Sequence, residues 1–257
     1  MAWDPATYMR FGDERTRPAV DLLARVMTIN SAHVVDLGCG PGNSTALLVA
    51  RWPDAEITGL DSSVEMIATA TAANIPARFA AADFDTWTPD AIPDVIFANA
   101  AFQWSRDPLT LVRRLFALLP DDGVLAFQIP QNFDQPSHVA VRDIAAKEPW
   151  AERLADARWY DPAGFARAED YARTLAPLGA RLDVWTTDYL HRLTGADPVF
   201  RWMEGTGLRP FLTRLHGDER EAFEAAIKTA FAIAYPPEPD GTTLFPFRRL
   251  FVVATKG

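Results

Sequence analysis

Cysteine is almost absent from this chain: Cys39 stands alone among 257 residues. No internal disulfide can form, which fits a reducing cytoplasm. Apolar runs are short, none reaching the ~18 residues that a membrane helix requires. The N-terminal MAWDPATYMRFGDERTRP carries acids and no apolar core, which argues against a secretion signal. There is no lysine-rich tract and the net charge is −9; both oppose nucleic acid as the main partner. The histidines, His33, His138, His191 and His216, show no ligand spacing with one another, so no metal site is expected. Repeats and low-complexity segments are missing as well. What remains is an acidic chain of ordinary globular composition, long enough to bury a full core, with no membrane segment and no sign of an obligate protein partner.

What the chain does contain is concentrated at residues 34–45, VVDLGCGPGNST. Two β-branched residues lead into Asp36, then Gly38, Gly40 and Gly42 follow at alternate positions, and helix-forming residues come after Asn43. A strand that ends in such a turn lets a ligand press against bare backbone, because the chain must bend sharply and a Cβ would take the ligand's space. Cys39, between two of the glycines, reads as a small filler rather than a nucleophile. Asp61 ends the next strand, where a carboxylate can accept both hydroxyls of a ribose. A dinucleotide site requires G-x-G-x-x-G, and here the glycines fall on every second residue. A carboxylate at Asp36 would repel a pyrophosphate but suits a cofactor carrying an ammonium and a sulfonium.

The wider pattern is α/β. A helix is expected from Thr16-Arg17-Pro18 with the stripe Val20, Leu23, Ala24 and Val26. Strands follow at 33–37, at EITGLD ending on Asp61, at ARFAAAD ending on Asp83, at DVIFANA and at VLAFQIP. Helices lie between them, one opened by a capping box of Ser62 and Glu65, another by Asp107-Pro108. Alternation over 30–130 implies a parallel sheet with right-handed crossovers. After Pro130 the rhythm changes. A modest helix is expected around His138–Lys147, another from Asp161-Pro162 to Gly179, a long strand at RLDVWTTDYLHRL, helices over 195–240, and a closing strand LFPFRRLFVVAT. The expected organisation is one domain over 1–257: an N-terminal cap at 1–30, a core of 31–130, 161–191 and 244–257, and helical insertions at 131–160 and 192–243 over the sheet's carboxyl edge, where open α/β sheets bind ligands.

DLGCGPG with Asp61, then Ala82-Asp83-Phe84, then Phe97-Ala98-Asn99-Ala100, resembles the class I S-adenosylmethionine-dependent methyltransferases in order and in strand position. The resemblance implies a Rossmann-like, seven-stranded sheet of order 3-2-1-4-5-7-6 with the last strand antiparallel, matching the hairpin read at 180–191 and 244–254. It implies that Gly38, Gly40 and Gly42, with Asp36, Cys39 and Asn43 around them, line the aminoacyl portion of the cofactor. Asp61 would hold the ribose, Ser62 and Met66 would flank the adenine, and Asp83 beside Phe84 would take its amino group. Asn99 and Ala100 would lie near the methionine segment. Gln103 and Trp104 follow the fourth strand and are expected at the cofactor's reactive end.

The two ends of the chain narrow the resemblance. WDPATYMRFGDERTRPAVDLLARV, RWPDAEITGLDSS, IFANAAFQW, TGLRPFL and FPFRRLFVVA are similar to the branch that esterifies a carboxylate of trans-aconitate. An acidic protein that binds a tricarboxylate needs local cations, and arginine grips carboxylates with a planar fork. Candidate substrate contacts are Arg17, Gln103, Asn132, His138, Trp159, Tyr160, Arg209 and Arg248. Arg142 and Arg158 lie in the same insertions. Arg248 and Arg249 should point to opposite faces of the last strand. A carboxylate is already ionised at neutral pH, so no catalytic base is expected. Methylation of a malonyl thioester carboxylate remains the alternative, since that family also shows Asn-x-x-x-Gln-Trp. A nicotinamide oxidoreductase, which the glycine spacing opposes, and a cofactor-binding regulator without chemistry are the rivals from other classes.

Overall fold

The computed structural model describes residues 12–28, 31–157 and 165–257. Trp159, Tyr160, Arg158 and the helix start expected at Asp161-Pro162 lie outside the described residues. The elements in order are α1 (Gly12–Leu23), β1 (His33–Leu37), α2 (Asn43–Arg51), β2 (Glu56–Asp61), α3 (Val64–Ala72), β3 (Arg78–Ala81) and β4 (Val95–Asn99). After a 3-10 turn at Phe102–Trp104 come α4 (Pro108–Leu118), β5 (Val124–Pro130), α5 (Pro136–Ala145), α6 (Ala151–Leu154) and α7 (Ala168–Leu175), which leads into another 3-10 turn at Ala176–Leu178. The chain closes with β6 (Ala180–Leu193), α8 (Pro198–Glu204), α9 (Arg209–Leu212), α10 (Gly217–Ala234) and β7 (Thr243–Lys256).

The seven strands form one sheet of order β3-β2-β1-β4-β5-β7-β6. β1 pairs in parallel with β2 and β4, and β5 runs parallel to β4 but antiparallel to β7. The central strands are buried almost throughout, as Val34, Leu37, Ile96, Phe97, Leu125 and Phe127 show. Parallel strands covered on both faces need such continuous apolar runs. Phe102, Phe116, Tyr171 and Leu175 complete this core with Leu250 and Val252 of β7.

Three local expectations are corrected. The first helix starts at Gly12, ahead of Pro18, which sits inside it. Its buried face carries Ala19 and Leu22, with Val26 buried just past the helix end, while Val20 is 46% exposed. Both stripes satisfy helical spacing, so the sequence pattern did not separate them. The cap before α3 is Ser63, not Ser62: its Oγ accepts from Met66 N at 3.2 Å and donates to Glu65. The third strand stops at Ala81, because Asp83 is already in a turn that receives the Thr86 and Trp87 amides.

The chain divides into two compact units: Met1–Pro130 with Ala166–Thr187 and Arg249–Gly257, and Gln131–Phe165 with Asp188–Arg248. Of the described residues expected with the core, Phe165, 188–191 and 244–248 group with the second unit. β6 and β7 are long enough at 14 residues each to run through both. Within the second unit α10 packs on α5, and Tyr235 Oη accepts from Ser137 N at 3.0 Å. No helix among the described residues is long and apolar enough to cross a membrane.

Candidate functional site

The carboxyl ends of β1, β2 and β4 bring together the glycine turn, Asp61 and the chain just past Asn99. Leu60 O accepts from the Gly38 and Cys39 amides at 2.7 and 3.0 Å, drawing the turn over the end of β2. Asp61 then receives Gly40 N on Oδ2 at 2.9 Å and Ser63 N on Oδ1 at 2.8 Å. Burial raises its pKa, and the same backbone hydrogen bonds pull against that shift. Each carboxylate oxygen keeps acceptor capacity beyond the bond it makes.

The three glycines have different reasons. All take positive φ, +73, +55 and +96 at Gly38, Gly40 and Gly42. A Cβ on Gly38 would stand 2.3 Å from Ala101 Cβ, and one on Gly42 would stand 2.7 Å from Ile75 Cδ1. Only at Gly40 is there nothing within 4 Å. The glycine rule of the sequence therefore divides: two positions admit neighbouring chain, and one faces open space beside a carboxylate.

Asp36 is fully buried. Its Oδ2 accepts from Ser44 Oγ and Thr45 Oγ1, both at 2.7 Å, while Oδ1 has no partner. Burial pushes its pKa up to about 6, opposed by the two hydroxyls and aided by nearby Asp61. The carboxylate thus ties the strand end to the first turn of α2. Cys39 is buried and its thiol pKa is raised by burial and by both aspartates. It fills space against Gly59 and carries no reactive thiolate.

Further along, Met66 is buried in α3 and Ser62 is exposed next to Asp61. Asp83 is exposed and its Oδ1 accepts from Asp85 N at 2.9 Å. Phe84 packs edge-on against Phe102 at 5.8 Å, so its ring belongs to the core. Sequence reasoning missed what holds this loop. Arg114 donates to the Phe84 and Trp87 carbonyls at 2.5 Å each, and Asp85 accepts from Ser105 Oγ at 2.6 Å. Asn99 ends β4, and Ala100 takes φ +54. Gln103 Nε2 donates to Ala100 O at 2.6 Å, leaving its buried Oε1 without a partner. Trp104 is 37% exposed. Arg17 lies exposed on α1.

In the second unit the substrate candidates separate. Asn132 is buried and braces the chain: Nδ2 donates to Arg248 O at 3.0 Å and Oδ1 accepts from Arg248 N at 2.6 Å. Arg248 holds Asp188 with Nε at 2.8 Å and Nη2 at 3.1 Å, an exposed bidentate pair. His138 is buried, with Nδ1 3.1 Å from Ser137 Oγ and Phe133 edge-on. Burial, with repulsion from Arg142, pushes its pKa down to about 3, so it is neutral at pH 7 and offers no cation. Arg142 itself donates to Phe133 O. Arg209, half-buried, opens α9. Among the described residues no three His, Cys, Asp or Glu side chains cluster as metal ligands do.

A family model of the methyltransferase domain matches residues 10–182. The trans-aconitate 2-methyltransferase of Methylobacterium radiotolerans is 48% identical over 261 residues, covering 99% of this chain and 98% of that one. Its counterpart in Azoarcus sp. is also 48% identical, over 254 residues and 99% of each chain. Among solved structures, the YcgJ protein of Bacillus subtilis shares the fold with a TM-score of 0.61 at 16% identity, over 93% of this chain and 98% of that one. With likeness of this extent from end to end, the chain belongs to the trans-aconitate 2-methyltransferase family of methyltransferases.

Proposed function

We propose that the protein is an S-adenosylmethionine-dependent O-methyltransferase that turns a carboxylate of trans-aconitate into its monomethyl ester. The observation that carries this reading is the Gly40 turn, bare backbone with open space beside it and Asp61 hydrogen-bonded to its amide. The cradle fits the donor, since a Cβ there would fill the space an aminoacyl chain needs. The substrate rests on the full-length likeness to the named relatives.

S-adenosylmethionine supplies an electrophilic methyl group on a sulfonium. Asp61 would accept the ribose hydroxyls with the capacity that Gly40 and Ser63 leave. The Gly40 backbone would seat the aminoacyl end, with Asn99 and Ala100 flanking it, and Asp83 would accept from the adenine amino group. No side chain has to remove a proton, because a carboxylate with pKa near 4 is ionised at neutral pH. The work of the protein is alignment of the reacting oxygen and exclusion of water. Gln103, whose buried Oε1 has no partner, and Trp104 would border the reacting groups. Arginines suit the spectator carboxylates better than the reacting one, since pairing the nucleophile too tightly would slow its attack. Arg17 and Arg209 are the arginines proposed for that role.

A tritiated-methyl transfer assay over trans-aconitate, citrate, isocitrate and a malonyl thioester tests this. Trans-aconitate should give the highest kcat/KM. Preference for the thioester would replace the substrate, and no transfer to any acid would overturn the activity. Asp61→Ala should weaken S-adenosylhomocysteine binding several-fold by calorimetry, and unaltered affinity would place the ribose elsewhere.

A further inference from the structure

A buried polar chain crosses three neighbouring strands of the first unit, and only its last member, Asn99, enters the cofactor site proposed above. Asn99 on β4 lies opposite Gln128 on β5. Gln128 lies opposite Phe251 on β7, and Arg249, two residues before Phe251, shares its face of the sheet. Arg249 Nη1 donates to Gln128 Oε1 at 3.0 Å, and Gln128 Nε2 donates to Asn99 Oδ1 at 2.5 Å. Gln128 is fully buried and Arg249 is 5% exposed.

Chemistry forces the order of donors. A guanidinium has only N–H groups to offer, so the Gln128 atom facing Arg249 must be oxygen. That turns the Gln128 amide nitrogen toward Asn99, which must meet it with its own oxygen. Asn99 Nδ2 is then committed to donate elsewhere. Rotating either amide would set N–H against N–H in buried surroundings, where mismatched polar groups are costly.

Asn99 stands beside the glycine turn. Asp36 lies opposite Phe97 in the β1–β4 register, and the chain just past Asn99 closes on Gly38 through Ala101. We infer that Arg249 is a positioning residue for the cofactor site: acting through Gln128, it fixes Asn99 as a hydrogen-bond donor at the end of β4, and so selects a ligand carrying a carboxylate there. The inference rests on the cofactor reading above, in which that carboxylate belongs to the aminoacyl end of the donor. It assigns Arg249 a task different from gripping substrate.

Calorimetry with two ligands tests it: S-adenosylhomocysteine and its decarboxylated analogue, which keeps the amine. Asn99→Ala and Arg249→Met should each weaken S-adenosylhomocysteine binding about tenfold, the scale of one hydrogen bond to a charged group. Neither should change affinity for the analogue. The double variant should bind no more weakly than Asn99→Ala alone, because both changes remove one interaction. Gln128→Glu is the second arm should Arg249→Met fail to fold. It still pairs with Arg249 but offers Asn99 only acceptors, so Asn99 must turn its oxygen outward and the carboxylate-bearing ligand should again bind more weakly. Equal losses for both ligands, or additive losses in the double variant, would reduce Arg249 to a packing role and overturn the inference. If the wild-type protein binds neither ligand, the cofactor reading itself fails and the inference falls with it.

Discussion

Gly40 and Gly38 show how one residue type serves two physical ends in a single turn. Alanine at Gly40 meets no neighbour, yet must hold φ near +55, which costs an L-residue roughly 1–2 kcal/mol. Gly40→Ala should therefore fold with a modest loss in urea midpoint while losing most of its affinity for S-adenosylhomocysteine. Gly38→Ala should do the reverse in emphasis and destabilise severely, since its methyl would stand 2.3 Å from Ala101 Cβ. Melting and calorimetry on the pair separate these outcomes. Asp36 supplies a pH dependence. Its folded pKa of about 6 lies above the ordinary 3.8, so the folded state holds its proton more tightly than the unfolded chain. Its contribution to stability is greatest below pH 3.8 and is lost as pH rises through about 6, a change on the order of 3 kcal/mol. Asp36→Asn should flatten that fall in unfolding free energy between pH 4 and 7, and an unchanged slope would assign the effect to other groups.

Single elements carry their own tests, and they show what was legible. The strands at 33–37, 56–61 and 124–130 stand where hydrophobic runs and turn residues place them, and so do Asp61 and Asn99 at strand ends. Pattern alone favoured the wrong one of two adjacent serines, because Ser62 precedes Glu65 by the three residues of a capping box while the third residue after Ser63 is Met66. Ser63→Ala should cost about 1 kcal/mol in chemical denaturation, and Ser62→Ala should cost almost nothing; equal effects would contradict the observed cap. Other roles were hidden because the partners are remote. Asn132 meets Arg248 across 116 positions and Gln128 meets Arg249 across 121. Neither pairing has a local signature until the register of β5 and β7 is known. A signal for the second was nonetheless present: Gln128 and Arg249 interrupt the apolar runs VLAFQIP and FRRLFVV, and a polar group inside a buried strand must find a partner.

The whole molecule adds a field to these contacts. At net charge −9 the protein repels a tricarboxylate at long range and attracts a sulfonium donor that carries a net positive charge. Salt screens such fields beyond a Debye length of about 8–10 Å near physiological strength, while short contacts to arginine persist. The two substrates should then respond in opposite directions. Raising salt from about 10 to about 150 mM, over which the Debye length shrinks from ~30 to ~8 Å, should increase kcat/KM for trans-aconitate and decrease it for S-adenosylmethionine. A fall for both would mean that arginines near the substrate's route outweigh the overall charge. In that event Arg209→Ala should reverse the trans-aconitate response as well as raise its KM, because removing one cation leaves the surrounding acids to dominate. Steady-state kinetics on the wild type and Arg209→Ala, each at low and high salt, distinguishes a protein that admits its anion against its own charge from one that draws it in.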